Sequence, residues 1–160
     1  MREFILEEIG VIYNDYVNPK IVLHEQYKDA LLGVEGFSHL TILYWFDKLD
    51  VSEIRATHVF DKPYVHGPDA LGVFATRGPV RPNLIAISNI QVKNIDYDKG
   101  IIYMYYIDAE DETPLLDIKP YTPSNDCIKT FQAPKWCAHW PKSYEESAEF
   151  DWDKEFTEMK

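Results

Sequence analysis

Ser38–Phe46, SHLTILYWF, is the most strand-like run in the chain. Its β-branched and aromatic residues read as a strand buried in part on both faces. Outward from it, Phe4–Tyr13 (FILEEIGVIY) reads as a first strand that ends at an Asn14-Asp15 turn signal. Tyr27–Leu32 reads as a short helix closed by Gly33, and Arg55–Phe60 as a further strand. Leu71–Thr76, Leu84–Ile95, Ile101–Ile107 and Leu115–Ile118 follow, and Asp96–Gly100 marks a hairpin because Gly100 can take positive φ. Many short strands without an alternating βαβ pattern predict a mainly β fold, a compact antiparallel or mixed barrel with one or two short helices. Pro120, Pro123, Pro134 and Pro141 make the C-terminal segment irregular. The expected organisation is one barrel domain over 1–141, followed by an acidic tail or short helix over 142–160.

Composition sets outer bounds. With 160 residues, 46% hydrophobic and 14% aromatic, the chain is long enough for one core, and disorder is expected only at its ends. No apolar run approaches the length of a membrane span, and Met1-Arg2-Glu3-Phe4 lacks a signal peptide's apolar block, so a cytoplasmic protein without membrane partners is expected. Cys127 and Cys137 fit free thiols, since their spacing matches no common redox or zinc pattern. The net charge of −11 argues against a nonspecific nucleic-acid binder, because phosphate neutralisation needs surplus lysine and arginine. Any RNA must meet a local basic face.

Two polar segments could carry chemistry. In Gly72–Ser88 (GVFATRGPVRPNLIAIS), Pro79 and Pro82 stiffen a turn that presents Arg77 and Arg81, whose planar guanidinium groups suit carboxylates and phosphates. The plainer alternative is a proline-rich loop with two solvated arginines. In Asp108–Tyr121 (DAEDETPLLDIKPY), a cluster of acids with Pro114 and Pro120 reads as a second fixed loop, with Lys119 and Tyr121 beside it. Asp117 and Lys119 stand two apart on a strand and so share a face; the plainer reading is a surface ion pair. The five histidines show no ligand spacing, and Cys137-Ala138-His139 with distant Cys127 makes a poor zinc set, so no metal is expected. His39 is expected to be a satisfied core histidine. Trp136 and Trp140 are expected to pack over the barrel or across a dimer seam.

Together with GVIY (Gly10–Tyr13) and GVEGFSHLTILYWF (Gly33–Phe46), these segments resemble the TrmO family, also called YaeB or TsaA-like proteins. The resemblance implies a β-barrel that binds S-adenosylmethionine without a Rossmann sheet, works as a homodimer and methylates N6 of threonylcarbamoyladenosine beside the tRNA anticodon. It implies a cofactor pocket drawing on Phe46, Asp47, Lys48, Arg77, Asp111, Glu112, Thr113 and Pro114. The family usually has glycine at the position of Glu112, and many members carry a longer basic insertion where this chain passes through Asn18-Pro19-Lys20. The absence of a G-x-G-x-x-G fingerprint agrees with a non-Rossmann methyltransferase.

Methyl transfer from a sulfonium is an in-line displacement, so alignment and water exclusion matter most. The N6 lone pair is delocalised into the purine, so a carboxylate accepting the N6 proton would assist. Asp117 is the candidate acceptor, Lys119 its orienter or a phosphate contact, Arg81 (or Arg77) a carboxylate grip, and Tyr121 or Trp45 a face for a base or the sulfonium. The arginine hinge and the Asp117–Lys119 strand are expected to line one cavity. The alternatives are a non-catalytic small-molecule or nucleoside-binding barrel of the same fold, and a structural dimer module.

Overall fold

A computed structural model describes residues 3–157. Its contacts divide the chain into two compact units, Met1–Asp50 with Asn83–Cys127, and Val51–Pro82 with Ile128–Lys160. This grouping differs from the expected boundary at 141/142. The segment between the third and fourth barrel strands, residues 51–82, groups with the C-terminal residues.

The first unit is a closed six-stranded barrel. Its strands are β1 (Gly10–Tyr13), β2 (Lys20–Leu23), β3 (His39–Trp45), β6 (Ile85–Asp96), β7 (Ile101–Met104) and β8 (Thr113–Pro120), in the order β1-β2-β7-β6-β3-β8, with β1 pairing back onto β8. All pairings are antiparallel. Alternation along each strand sends Ile12, Ile21, Leu40, Ile42, Tyr44, Ile90, Ile102 and Leu115 into one core. Gly10 is dictated by close approach: a Cβ there would lie 2.5 Å from the Val22 carbonyl oxygen. Gly100 ends the β6–β7 hairpin at φ +64°, and Gly33 closes the 3-10 helix Glu25–Leu31 at φ +85°, as their sequence contexts predict.

Several element boundaries depart from expectation. Phe4, Ile5 and Leu6 are apolar but exposed and unpaired, so the first strand begins only at Gly10, where a partner strand exists on each side. Pro114 and Pro120 lie inside β8 rather than in a loop, which extends the expected strand at both ends. Each sits near a strand end, where a missing amide costs little of the ladder. His39 is not a core residue: it is half-buried, its Nδ1 lies 2.9 Å from Ser38 Oγ, and its ring meets Tyr121 edge-on at 6.3 Å.

In the second unit, α1 (Ser52–Ala56) replaces the first part of the strand expected over Arg55–Phe60, and only β4 (Val59–Asp61) is extended, paired with β5 (Ala70–Gly72). The strand expected to reach Thr76 stops at Gly72 and becomes a 3-10 turn over Val73–Ala75. Arg81 accounts for this: its Nε donates to the Gly78 carbonyl at 2.9 Å and its Nη2 to the Thr76 and Val73 carbonyls at 2.7 and 3.4 Å. Trp136 and Trp140 pack on Tyr64 of the same unit, at 5.2 and 5.0 Å between centroids. The C-terminal stretch is no loose tail. It forms α2 (Tyr144–Ala148), capped by Ser143, and it buries Glu155, whose backbone carbonyl accepts from Val65 N at 2.9 Å.

Candidate functional site

The barrel gathers two of the expected cofactor segments at one end. β3 and β8 are antiparallel neighbours with Tyr44 opposite Leu115, so the chain leaving β3 at Phe46-Asp47-Lys48 lies beside the chain entering β8 at Asp111-Glu112-Thr113-Pro114. Lys48 Nζ joins them. It lies 2.7 Å from Glu110 Oε2 and donates to the Asp111 carbonyl at 3.4 Å, and the Glu110 carboxylate holds its ammonium above the usual lysine range.

Asn14 is the internal fastener of the acidic loop. It is buried, its Nδ2 donates to the Ile107 and Ala109 carbonyls at 3.2 and 2.7 Å, and its backbone N–H donates to Asp111 Oδ1 at 2.9 Å. Tyr44 adds a second tie, its hydroxyl donating to the Asp108 carbonyl and lying 3.1 Å from Ser88 Oγ. Thr113 Oγ1 donates to the Glu110 carbonyl at 2.8 Å. The Phe46 ring, half-buried, stands edge-on to Tyr44 at 5.8 Å. Asn14 shows in the sequence only as a turn residue and Tyr44 only as a strand aromatic. Neither signal separates a loop-tying role from an ordinary structural one.

Glu112 has φ +63°, a left-handed conformation that costs a side-chain-bearing residue about 1–2 kcal/mol. The departure from glycine therefore carries strain. Glu112→Gly should raise the unfolding free energy by about 0.5–1 kcal/mol, the strain relieved less the added chain entropy, as read by urea titration.

Of the expected catalytic residues, Asp117, Lys119 and Tyr121 lie elsewhere on the same unit. Asp117 Oδ2 sits 2.6 Å from Lys119 Nζ, and Asp117 Oδ1 accepts from Ile118 N at 2.9 Å. Both side chains face outward on β8, Asp117 opposite Leu43 and Lys119 opposite Thr41, with Tyr121 just beyond. Asp117 stands four positions beyond Thr113, roughly 13 Å along the strand. Asp117 also borders a hollow of about 200 Å³ lined by Ile9, Leu23, Tyr27, Val34 and Leu40.

Arg77 and Arg81 belong to the second unit. Arg81 spends three hydrogen bonds on carbonyls of its own loop, so it shapes the loop more than it offers a free grip. Arg77 is exposed, and among the described residues its side chain has no hydrogen bond or ion pair.

The class is therefore a closed β-barrel without a Rossmann sheet, its β3 exit and β8 entry clamped into one acid-rich, lysine-bridged loop pair. The family described as the tRNA-methyltransferase O N-terminal domain matches residues 11–127. The chain belongs to that family. It is 35% identical over 142 residues to the tRNA (adenine(37)-N6)-methyltransferase of Escherichia coli, covering 77% of this chain and 60% of that protein. It is 29% identical over 120 residues to an S-adenosyl-L-methionine-binding protein of Archaeoglobus fulgidus, covering 75% and 80%. A crystal structure of TrmO from Pseudomonas aeruginosa aligns with a TM-score of 0.64 at 26% identity, over 84% of this chain and 62% of that one. The chain thus spans under two-thirds of the solved TrmO chain and of the E. coli enzyme. Among the described residues no helix is long and apolar enough to cross a membrane.

Proposed function

We propose that the chain is an S-adenosylmethionine-dependent methyltransferase acting on N6 of an adenosine in tRNA, with threonylcarbamoyladenosine beside the anticodon as the acceptor. The observation that carries this reading is the junction of Phe46-Asp47-Lys48 with the Asp111–Pro114 loop in a barrel of this family. The donor set suits the cofactor. Asp111 and Glu110 carboxylates fit an ammonium and ribose hydroxyls, Lys48 fits a carboxylate, and the Phe46 face fits an adenine. The Lys48–Glu110 pair is exposed and opens at little cost. When bound, the cofactor supplies an activated methyl group; the protein aligns the acceptor and excludes water.

Titration calorimetry with S-adenosylmethionine should show one site per chain and a raised Tm. Radiolabelled methyl should pass to tRNA from a strain lacking the modification and not to tRNA that already carries it. Binding without transfer to any tRNA would favour the non-catalytic nucleoside-binding barrel, a reading that the separation of Asp117 from the loop pair makes specific.

We further infer a cytoplasmic homodimer. Its support is an apolar stripe on the outer barrel face, where Leu43 pairs with Ile87 and Trp45 with Ile85, and where Ile85 and Ile87 are exposed. Ile87→Glu should shift the light-scattering mass to that of one chain; a single-chain mass before mutation would remove the dimer.

A further inference from the structure

The histidines that show no ligand spacing in the sequence meet in space in the second unit. His66 and His139 pack edge-on at 5.3 Å between centroids, and one donor atom from each lies within 4.8 Å of the other and of a Glu155 carboxylate oxygen. We propose that His66, His139 and Glu155 form a binding site for a zinc-type divalent cation.

Three features build the site. Glu155 is buried, with 6% of its surface exposed, and among the described residues it has no lysine or arginine within ion-pair distance. Its Oε2 accepts from Trp140 Nε1 at 2.9 Å, while its Oε1 lies 2.8 Å from His139 Nε2. The indole therefore orients the carboxylate from behind, as outer-shell donors do around metal ligands, and leaves Oε1 toward the imidazoles. The backbone fixes the relative position of the two outer segments: Tyr64 bridges Phe156, Val65 N donates to the Glu155 carbonyl at 2.9 Å, and Thr157 N donates to the Pro63 carbonyl at 3.2 Å.

The chemistry selects the ion. Two imidazoles and one carboxylate are the borderline set that zinc and its first-row neighbours prefer, whereas magnesium and calcium demand more oxygen. Metal–donor bonds of about 2.0–2.2 Å in a tetrahedral set hold donors roughly 3.3–3.5 Å apart, so the 2.8 Å His139–Glu155 pair opens slightly and the wider spread closes, both within reach of side-chain rotation at the two exposed histidines. For His139 to ligate through Nε2, its proton moves to Nδ1, and the cation takes the place of that proton between imidazole and carboxylate. His139 also lines a cleft of about 500 Å³ with Lys142, Glu146 and Glu149, which admits water to the positions that the protein leaves open. Two of the three ligands, His139 and Glu155, lie beyond residues 11–127 of the family match, and His66 lies within them.

The test uses the full chain, stripped with chelator and titrated with zinc chloride. One zinc should bind per chain and raise the Tm, while magnesium and calcium should do neither. His66→Ala should weaken zinc at least about tenfold yet keep the metal-free Tm, since His66 is exposed and its ring packs on the equally exposed His139 ring. His139→Gln should weaken it likewise. Cobalt in place of zinc should give visible bands without thiolate charge transfer. Absence of binding, undiminished binding in either variant, or a thiolate band pointing to Cys127 or Cys137 would overturn the site.

Discussion

Asn14→Ala is expected to lower the unfolding free energy by about 2–4 kcal/mol and to remove measurable S-adenosylmethionine binding. The substitution withdraws the two donors that satisfy the Ile107 and Ala109 carbonyls and the oxygen that accepts from Tyr16 N at 3.2 Å. A buried polar group left without a partner costs about 1–3 kcal/mol, and several are involved at once. The acidic loop would lose its anchor, because Asn14 holds both its carbonyls and, through the backbone, Asp111. Urea titration and calorimetry read the two effects separately. A variant of native stability with native affinity would show that the loop holds itself.

Asp117→Asn is expected to reduce kcat by about a hundredfold, the scale of general-base assistance, with cofactor affinity unchanged. The split follows from position. Asp117 lies along β8 from the loop pair, so a loss confined to turnover assigns it to the acceptor and not to the cofactor. Its pairing with Lys119 is exposed at 46% and 61% for the two side chains, so stability should change by less than about 1 kcal/mol. Lys119→Met should reproduce a weaker version of the same defect if the ammonium orients the carboxylate. Unaltered turnover in Asp117→Asn would remove the proton-acceptor role.

Much of the barrel was legible because its strands are long enough to show their period. SHLTILYWF and Leu84–Ile95 form a seven-pair ladder from His39↔Gln91 to Trp45↔Ile85, and Gly100 gave away the next hairpin. Phe4–Leu6 misled because apolar content marks a strand only when a partner edge is available. The turn at Val73–Ala75 was hidden because long-armed hydrogen bonds from Arg81 to carbonyls override a locally extended preference. The same residue shows why side-chain type alone overstates a ligand-binding role.

Of the candidate site, Phe46-Asp47-Lys48 and Asp111–Pro114 are legible through the family resemblance, whereas the lysine bridge that joins them is visible only in the structure. Asn14 and Tyr44 went unrecognised because their work is done on backbone carbonyls, which carry no sequence signature. The His66, His139 and Glu155 grouping could not be read from spacing, since its first two members stand more than seventy positions apart.

The pairing of Gly10 with Leu115 bears on how the protein is made. Closing the barrel joins segments about a hundred residues apart, a late event for a nascent chain. Until β8 clears the ribosome, β1 and β3 each present an unzipped edge to other polypeptides. Slowed synthesis between residues 90 and 120 should therefore raise aggregation, while the finished barrel offers no such edge.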